Sequence, residues 1–223
     1  MKILSIARSL SLTLLVLAGA AAAYTESAAE AKLSPKQQEK YLEKLEVNFR
    51  ASRTLQAGFV QEKHLLLFQD VLTSSGTFSF AVPSSLRWEI KFPFHSLLIM
   101  NGRELAKYDF IKGKPRKLKL PAADALFEMF DQIAGLHQGK FSEQAEKYEI
   151  TVYCGEAERL VLVPKDKKMR RFLPAIEIRF SRALDSVRSV LIREGGSDYT
   201  LIRFEDVRLN PELPGGLFST QQK

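Results

Sequence analysis

Between Gly76 and Asp109 the sequence GTFSFAVPSSLRWEIKFPFHSLLIMNGRELAKYD falls into short runs of alternating apolar and polar residues, each ended by a strand-stopping residue. Phe78 and Phe80 alternate with Thr77, Ser79 and Ala81, and Leu86, Trp88 and Ile90 alternate with Arg87, Glu89 and Lys91. A period of two sends successive side chains to opposite faces, so the stretch specifies antiparallel strands with one oily, aromatic face and one mainly polar face. Pro83 and Pro93 cannot donate to a ladder, and Asn101-Gly102 suits the positive φ angles of a tight hairpin. The rest of the chain has to close or cover this sheet.

The N-terminus stands apart from any fold argument. Lys2 and Arg8 precede an uncharged run, Ser9 to Ala23, whose core LSLTLLVLAGAAAA ends in small residues. This is the pattern of a secretory signal peptide, with cleavage after Ala23; the strongly apolar part falls short of the ~20 residues that span a bilayer. Residues 1–23 are therefore expected to be removed, leaving residues 24–223 as a single domain. Loss of Lys2 and Arg8 lowers the net formal charge from +7 to +5. Basic and acidic residues are interleaved, as in Arg203-Phe204-Glu205-Asp206, which argues against a phosphate-tracking stripe and against a nucleic-acid partner. With Cys154 as the only cysteine, no intramolecular disulfide can form, and stability has to come from buried apolar area, to which fifteen phenylalanines contribute.

Taken in order, Ser34-Pro35 opens a helix that carries Tyr41, Leu42, Leu45 and Phe49 on one side to about Arg50. Leu55, Ala57 and Phe59 announce a first strand towards His64, and LLLFQDVL reads as a second. After the central region, KGKPRKLKL from Lys112 to Leu120 is a basic hairpin. It reads as a solvated tip, with docking to an anionic lipid surface or an acidic partner as the other reading. Pro121 begins a second helical segment with Leu126, Met129, Phe130 and Ile133 on one face and Gly135 near its end. His137 to Glu146 is polar and irregular, with room for a short helix. Strands follow over Tyr148 to Cys154, Arg159 to Val163, Ala175 to Phe180, Val187 to Glu194 and Tyr199 to Leu209, with PKDKKMRR as an exposed hairpin loop. The proline-rich tail ends in Leu217-Phe218.

Enzyme chemistry has no obvious carrier in this sequence. His64, His95 and His137 are scattered and lack metal-ligand spacing, and neither a nucleophile elbow nor a phosphate-binding glycine loop occurs. Cys154 sits in a strand pattern, where a small buried hydrophobe is the usual role. No cofactor is expected.

The signal peptide, the capped helix, FVQEK, SGTFSF, the P-x-x-L-R-W run from Pro83 to Trp88, Pro93 and the apolar strand Leu97 to Met100 leading to Asn-Gly together resemble the periplasmic outer-membrane lipoprotein carriers of the LolA family. IEIRF, the strand Val187 to Glu194, TLIRFEDVRLN and Phe218 continue the resemblance. It implies a mainly β (α+β) fold: an incompletely closed antiparallel β-barrel with an α-helical lid around an apolar cavity. It also implies a non-enzymatic carrier, working in the periplasm of a Gram-negative bacterium. The carrier would take the acyl chains of a lipoprotein or lipid cargo from an inner-membrane donor complex to an outer-membrane acceptor, as a monomer. At ~0.8 kcal/mol per CH₂, exposing one acyl chain of about fourteen carbons costs on the order of 11 kcal/mol, which is why such cargo needs a carrier.

On that reading Phe59, Phe78, Phe80, Leu86, Trp88, Ile90, Leu98 and Met100 line the lipid-binding cavity, and Leu126, Met129, Phe130 and Ile133 belong to the lid. Alternation identifies the buried face without deciding between a hollow and a solid core. If Leu86 faces the cavity or its mouth, a glutamate there is expected to abolish loading with little loss of folding. The family pattern has an arginine just before the first proline that helps hold the lid closed; this chain has Val82 there, so the family pattern does not supply its lid closure. A paralogue carrying a glycolipid or polyene lipid, and a filled-barrel protein-binding assembly factor, are the alternatives.

Overall fold

The computed structural model describes residues 31–68, 70–119, 135, 139–155 and 158–222. Most of them form one antiparallel sheet of twelve strands. In chain order these are β1 (Ala31–Lys32), β2 (Thr54–His64), β3 (Leu72–Ala81), β4 (Ser85–Phe92), β5 (Ser96–Asn101), β6 (Glu104–Ile111), β7 (Lys114–Lys117), β8 (Tyr148–Cys154), β9 (Arg159–Pro164), β10 (Ala175–Phe180), β11 (Val187–Arg193) and β12 (Tyr199–Leu209). Their spatial order is β1-β8-β9-β10-β11-β12-β2-β3-β4-β5-β6-β7, so two meanders are joined where β12 pairs with β2. The two ends of that order, β1 and β7, do not pair with each other, and the sheet is not closed.

Three bulges bend the sheet. One residue is added on β4 opposite Ser75 and Gly76, one on β11 opposite Arg179 and Phe180, and one on β12 around Asp206, whose φ is +50°. Each bulge adds local twist, and a twelve-stranded sheet with several of them curls. At the first bulge the backbones come very close: a Cβ on Gly76 would lie 1.8 Å from the Glu89 carbonyl oxygen. Only glycine fits there. The Gly102 turn (φ +60°) closes the β5–β6 hairpin, with Asn101 still paired to Glu104, and Lys112-Gly113, both at positive φ, close β6–β7.

Helix α1 (Pro35–Arg50) starts as its sequence predicts: the Gln37 side chain accepts from both the Ser34 amide (3.0 Å) and its hydroxyl (2.6 Å). Tyr41, Leu42, Leu45 and Phe49 pack on the inner face of β8 to β10, where the rings of Phe49, Phe141 and Phe180 meet edge to face. Beyond the short β1, the edge of β8 is satisfied by Gln38, which donates to the Ile150 carbonyl and accepts from the Val152 amide. The opposite edge, β7, carries Lys114, Pro115, Arg116 and Lys117, residues that discourage further strand pairing.

Sequence and structure part company in four places. LLLFQDVL is not a strand: Leu65 to Phe68 form the tip of the β2–β3 hairpin, with the Leu66 amide held by the Asp198 carboxylate at 2.7 Å, and β3 begins only at Leu72. PKDKKMRR is not a plain loop, because Asp166 caps a short helix, α2 (Lys167–Phe172), by accepting from the Met169 amide. The outer face is not uniformly polar, since Leu97, Ile99, Ala106 and Tyr108 are buried on it beneath Phe110 and the tail residue Phe218. Tyr108 donates to the Thr220 carbonyl and Arg87 to the Leu217 carbonyl, fixing the tail there. Cys154 is only half-buried. The expected signal peptide and the second helical segment, with Leu126, Met129, Phe130 and Ile133, lie outside the described residues.

On the outer face Glu177 accepts from Arg159 (2.7 Å) and Arg193 (2.9 Å). Burial alone pushes its carboxyl upward, but the hydrogen bonds and charges of the two arginines outweigh this and hold it below the usual carboxylate range. Glu89 behaves likewise: burial raises it, while His95 and Arg87 bring it down further than burial lifts it. Both carboxyls therefore take up a proton in the unfolded chain before they do so in the fold. Their stabilising contribution is complete above the ordinary carboxylate pKa of about 4.3 and fades as pH falls below it. Urea denaturation of Glu177→Gln is expected to show a loss of about 1–2 kcal/mol at neutral pH and a flatter decline on acidification than the parent. Gly76→Ala is expected to lower the unfolding free energy by more than about 3 kcal/mol in the same assay, because a main-chain carbonyl cannot step aside as a flexible side chain would.

Candidate functional site

Strict alternation along β2, β3, β4 and β5 turns Leu55, Ala57, Phe59, Phe78, Phe80, Leu86 and Met100 to one face, where they form a contiguous buried cluster with Ile202 of β12. Five residues expected from sequence, Phe59, Phe78, Phe80, Leu86 and Met100, are buried in it. Trp88, Ile90 and Leu98 are half-buried at its border. Aromatic contacts tie the buried centre to its border: the Phe59 and Trp88 ring centroids are 4.2 Å apart, Phe78 and Trp88 5.6 Å, and Phe78 and Phe204 5.7 Å. Such offset contacts add to the area they bury.

A small cleft lies at the seam between this cluster and the one beneath α1. It is lined by Leu55, Ala57, Phe78, Val187, Phe204 and Val207, and its free volume is about 10 Å³, enough for a single water-sized sphere. An acyl chain would fit this cleft only by displacing side chains that line it. Leu86 is completely buried. A glutamate there would bury a carboxylate among apolar groups, so in this conformation Leu86→Glu is expected to cost stability as well as binding.

Phe204, Val187 and Val207 were not singled out from sequence. Phe204 was legible, because it stands two residues after Ile202 on an alternating strand. Val207 was not: continuing the alternation past Phe204 turns Asp206 and Arg208 inward, and only the bulge at Asp206 reverses the parity to bring Val207 and Leu209 to the inner cluster. Val187 sits next to the β11 bulge for the same reason.

The charged groups lie elsewhere. Arg87 is on the outer face, 3.1 Å from Glu89, and Val82 packs against the inner cluster. Arg87 thus faces away from the inner cluster that Val82 joins. Burial, then the nearby charge of Glu158, push the Cys154 thiol up, which disfavours the thiolate. Burial, followed by the charge of Glu158 and the hydrogen bond to it, likewise pushes the Tyr41 phenol up. Among the described residues no three His, Cys, Asp or Glu side chains are grouped to hold a metal ion, and no helix is long and apolar enough to cross a membrane.

The family model described as outer membrane lipoprotein carrier protein LolA matches residues 50–221. The chain is 25% identical over 171 residues to an outer-membrane lipoprotein carrier protein of Nitrosomonas europaea, covering 74% of this chain and 77% of that one. It is 27% identical over 168 residues to a protein of the same description from Dechloromonas aromatica, covering 75% and 76%. Among solved structures, a DUF1329 family protein from Desulfovibrio piger aligns with a TM-score of 0.47 at 14% identity, over 81% of this chain and 96% of that one. The family match runs from the last residue of α1 through all of β2 to β12 and into the tail that covers the outer face, and on that extent the chain belongs to the LolA family of outer membrane lipoprotein carriers.

Proposed function

We propose that this protein is a lipid or lipoprotein carrier acting by binding and release alone, without catalysis. It works in the periplasm of a Gram-negative bacterium once residues 1–23 are removed. As a monomer it takes acylated cargo from an inner-membrane donor complex and delivers it to an outer-membrane acceptor. The observation that carries this reading is the continuous apolar inner face, aromatic at its centre, in a sheet that does not close. Family membership supports it. Phe59, Phe78, Phe80, Leu86, Trp88, Ile90, Leu98 and Met100, joined by Phe204, would contact the acyl chains, with Leu126, Met129, Phe130 and Ile133 on the lid. Val82 in place of an arginine at that position of the family pattern favours a member with its own lid closure, and a glycolipid or polyene lipid as cargo is compatible with the same surface.

One observation favours a second reading: the cleft that described residues of the inner cluster line has room for only about 10 Å³. A protein-binding assembly factor with a filled barrel would look the same at rest. Native mass spectrometry of the protein taken from its own periplasm, followed by lipid extraction, separates the two. A stoichiometric acylated species supports the carrier; an empty protein that also refuses an acylated fluorescent probe supports the filled barrel. Side-chain tests belong at the border of the cluster, where polar groups keep access to water. Ile90→Glu and Leu98→Gln are each expected to weaken probe binding about 10- to 100-fold, the equivalent of one branched side chain's burial, while thermal unfolding changes little.

A further inference from the structure

We infer that one end of the sheet is a docking surface for an anionic phospholipid bilayer. The antiparallel order sends the β2–β3, β4–β5, β6–β7 and β11–β12 turns and the β9–β10 connection to the same end of the strands. Ten of the eleven exposed large apolar side chains among the described residues lie at that end, and only Val47, on α1, lies elsewhere. Leu66 and Leu67 are 82% and 89% exposed, Phe94 is 81% and Phe172 is 77%. These are hairpin tips and a short helix, not a flat patch.

Contacts along the rim make it continuous. The Arg171 carbonyl would be 2.9 Å from a Cβ on Gly195, the Asp198 carboxylate holds the Leu66 amide, Ser75 faces Phe92 across β3 and β4, and His95 stacks on Phe110 at 3.7 Å. Cations stand between the apolar tips. Lys91, Lys112, Lys114, Lys167, Lys168 and Arg171 are all exposed, and none forms an ion pair among the described residues. Acids at this end are fewer and mostly engaged: Asp198 accepts from the Leu66 amide, Asp166 caps α2 and Glu194 pairs with Lys63, while Asp70 on the β2–β3 hairpin is exposed.

Separate leucine and phenylalanine tips with lysines and arginines beside them suit the bilayer interface, where apolar side chains sink below the headgroups and cations meet lipid phosphates. A protein interface would call for a packed apolar centre with few charges, whereas here the apolar tips are spread along a rim with charges between them. The basic β6–β7 hairpin then belongs to a wider surface with a lipid partner. This inference rests on the rim alone and holds whether or not the inner face binds acyl chains.

The test is co-sedimentation of the exported protein with vesicles of phosphatidylcholine and of phosphatidylcholine–phosphatidylglycerol at 3:1. The expected result is binding to the anionic vesicles, at least tenfold weaker to the neutral ones, that falls as salt is raised. The double variant Leu67→Ser/Phe94→Ser and the charge variant Lys167→Glu/Lys168→Glu are each expected to lower partitioning tenfold or more with thermal unfolding unchanged. All variants share one N-terminus, so the differences read the rim. A tryptophan introduced by Leu67→Trp should be quenched by brominated lipid. Absence of binding to anionic vesicles, or binding that neither double variant alters, would overturn the inference. So would capture of the rim by a protein partner with no vesicle binding. A failure here leaves the mass-spectrometric result for the cargo untouched.

Discussion

The pairing of β12 with β2 holds the rest together. Its partners are far apart in sequence: Leu209 faces Leu55 and Tyr199 faces His64, each strand running eleven residues. Without this joint the chain would be two hairpin meanders, β2 to β7 and β8 to β12, each with an extra open edge and half of an apolar face. With it, Phe204 reaches Phe78 and Trp88 across the seam, and Arg203 meets Glu62 at 2.6 Å on the other face. Because this contact closes a loop of well over a hundred residues, its entropic cost is met late, and the local hairpins can form before it.

The sheet's strands were mostly legible because alternation and punctuation agree along them. Tyr148 to Cys154 and Tyr199 to Leu209 coincide with β8 and β12, and Ser34-Pro35 marks the first turn of α1. Two kinds of residue misled. Leu65 to Phe68 form a continuous apolar run, which reads as a buried strand when burial is assumed, yet the run turns in solvent, with its Leu66 amide held by Asp198. The bulges at Asp206 and Arg188 shift parity by one residue, and a shift of this kind leaves no trace in hydropathy. The candidate site was therefore readable on β2 to β5, where alternation runs clean across Phe59, Phe78, Leu86 and Met100, and unreadable at Val187 and Val207.

The C-terminal tail explains why β5 and β6 are apolar on both faces. Leu97, Ile99, Ala106 and Tyr108 would otherwise leave an oily patch on the outside of the sheet. The tail's prolines keep it out of the ladder, so it crosses the face instead of extending the edge. It is held there by Phe218 and by hydrogen bonds from Arg87 and Tyr108 to its carbonyls. Arg87 also pairs with Glu89, which pairs with His95 at 2.8 Å, so the outer charges of β4 are tied to the position of the tail. The two faces thus differ in emphasis: the outer one is sealed by polar anchors, while the inner cluster around Phe59, Phe78 and Trp88 is held mainly by apolar and ring contacts.

That difference bears on what the inner face can do on the proposed reading. Ring contacts among Phe59, Phe78, Trp88 and Phe204 carry no fixed partner atoms, and an acyl chain that displaces one of them replaces apolar contact with apolar contact. The net gain on loading is then the difference between two similar terms, well below the on the order of 11 kcal/mol that fourteen carbons gain on leaving water. A cavity held open and empty would return the full amount and keep its cargo. A collapsed aromatic cluster returns less, which leaves the cargo free to move on to an acceptor of only slightly higher affinity.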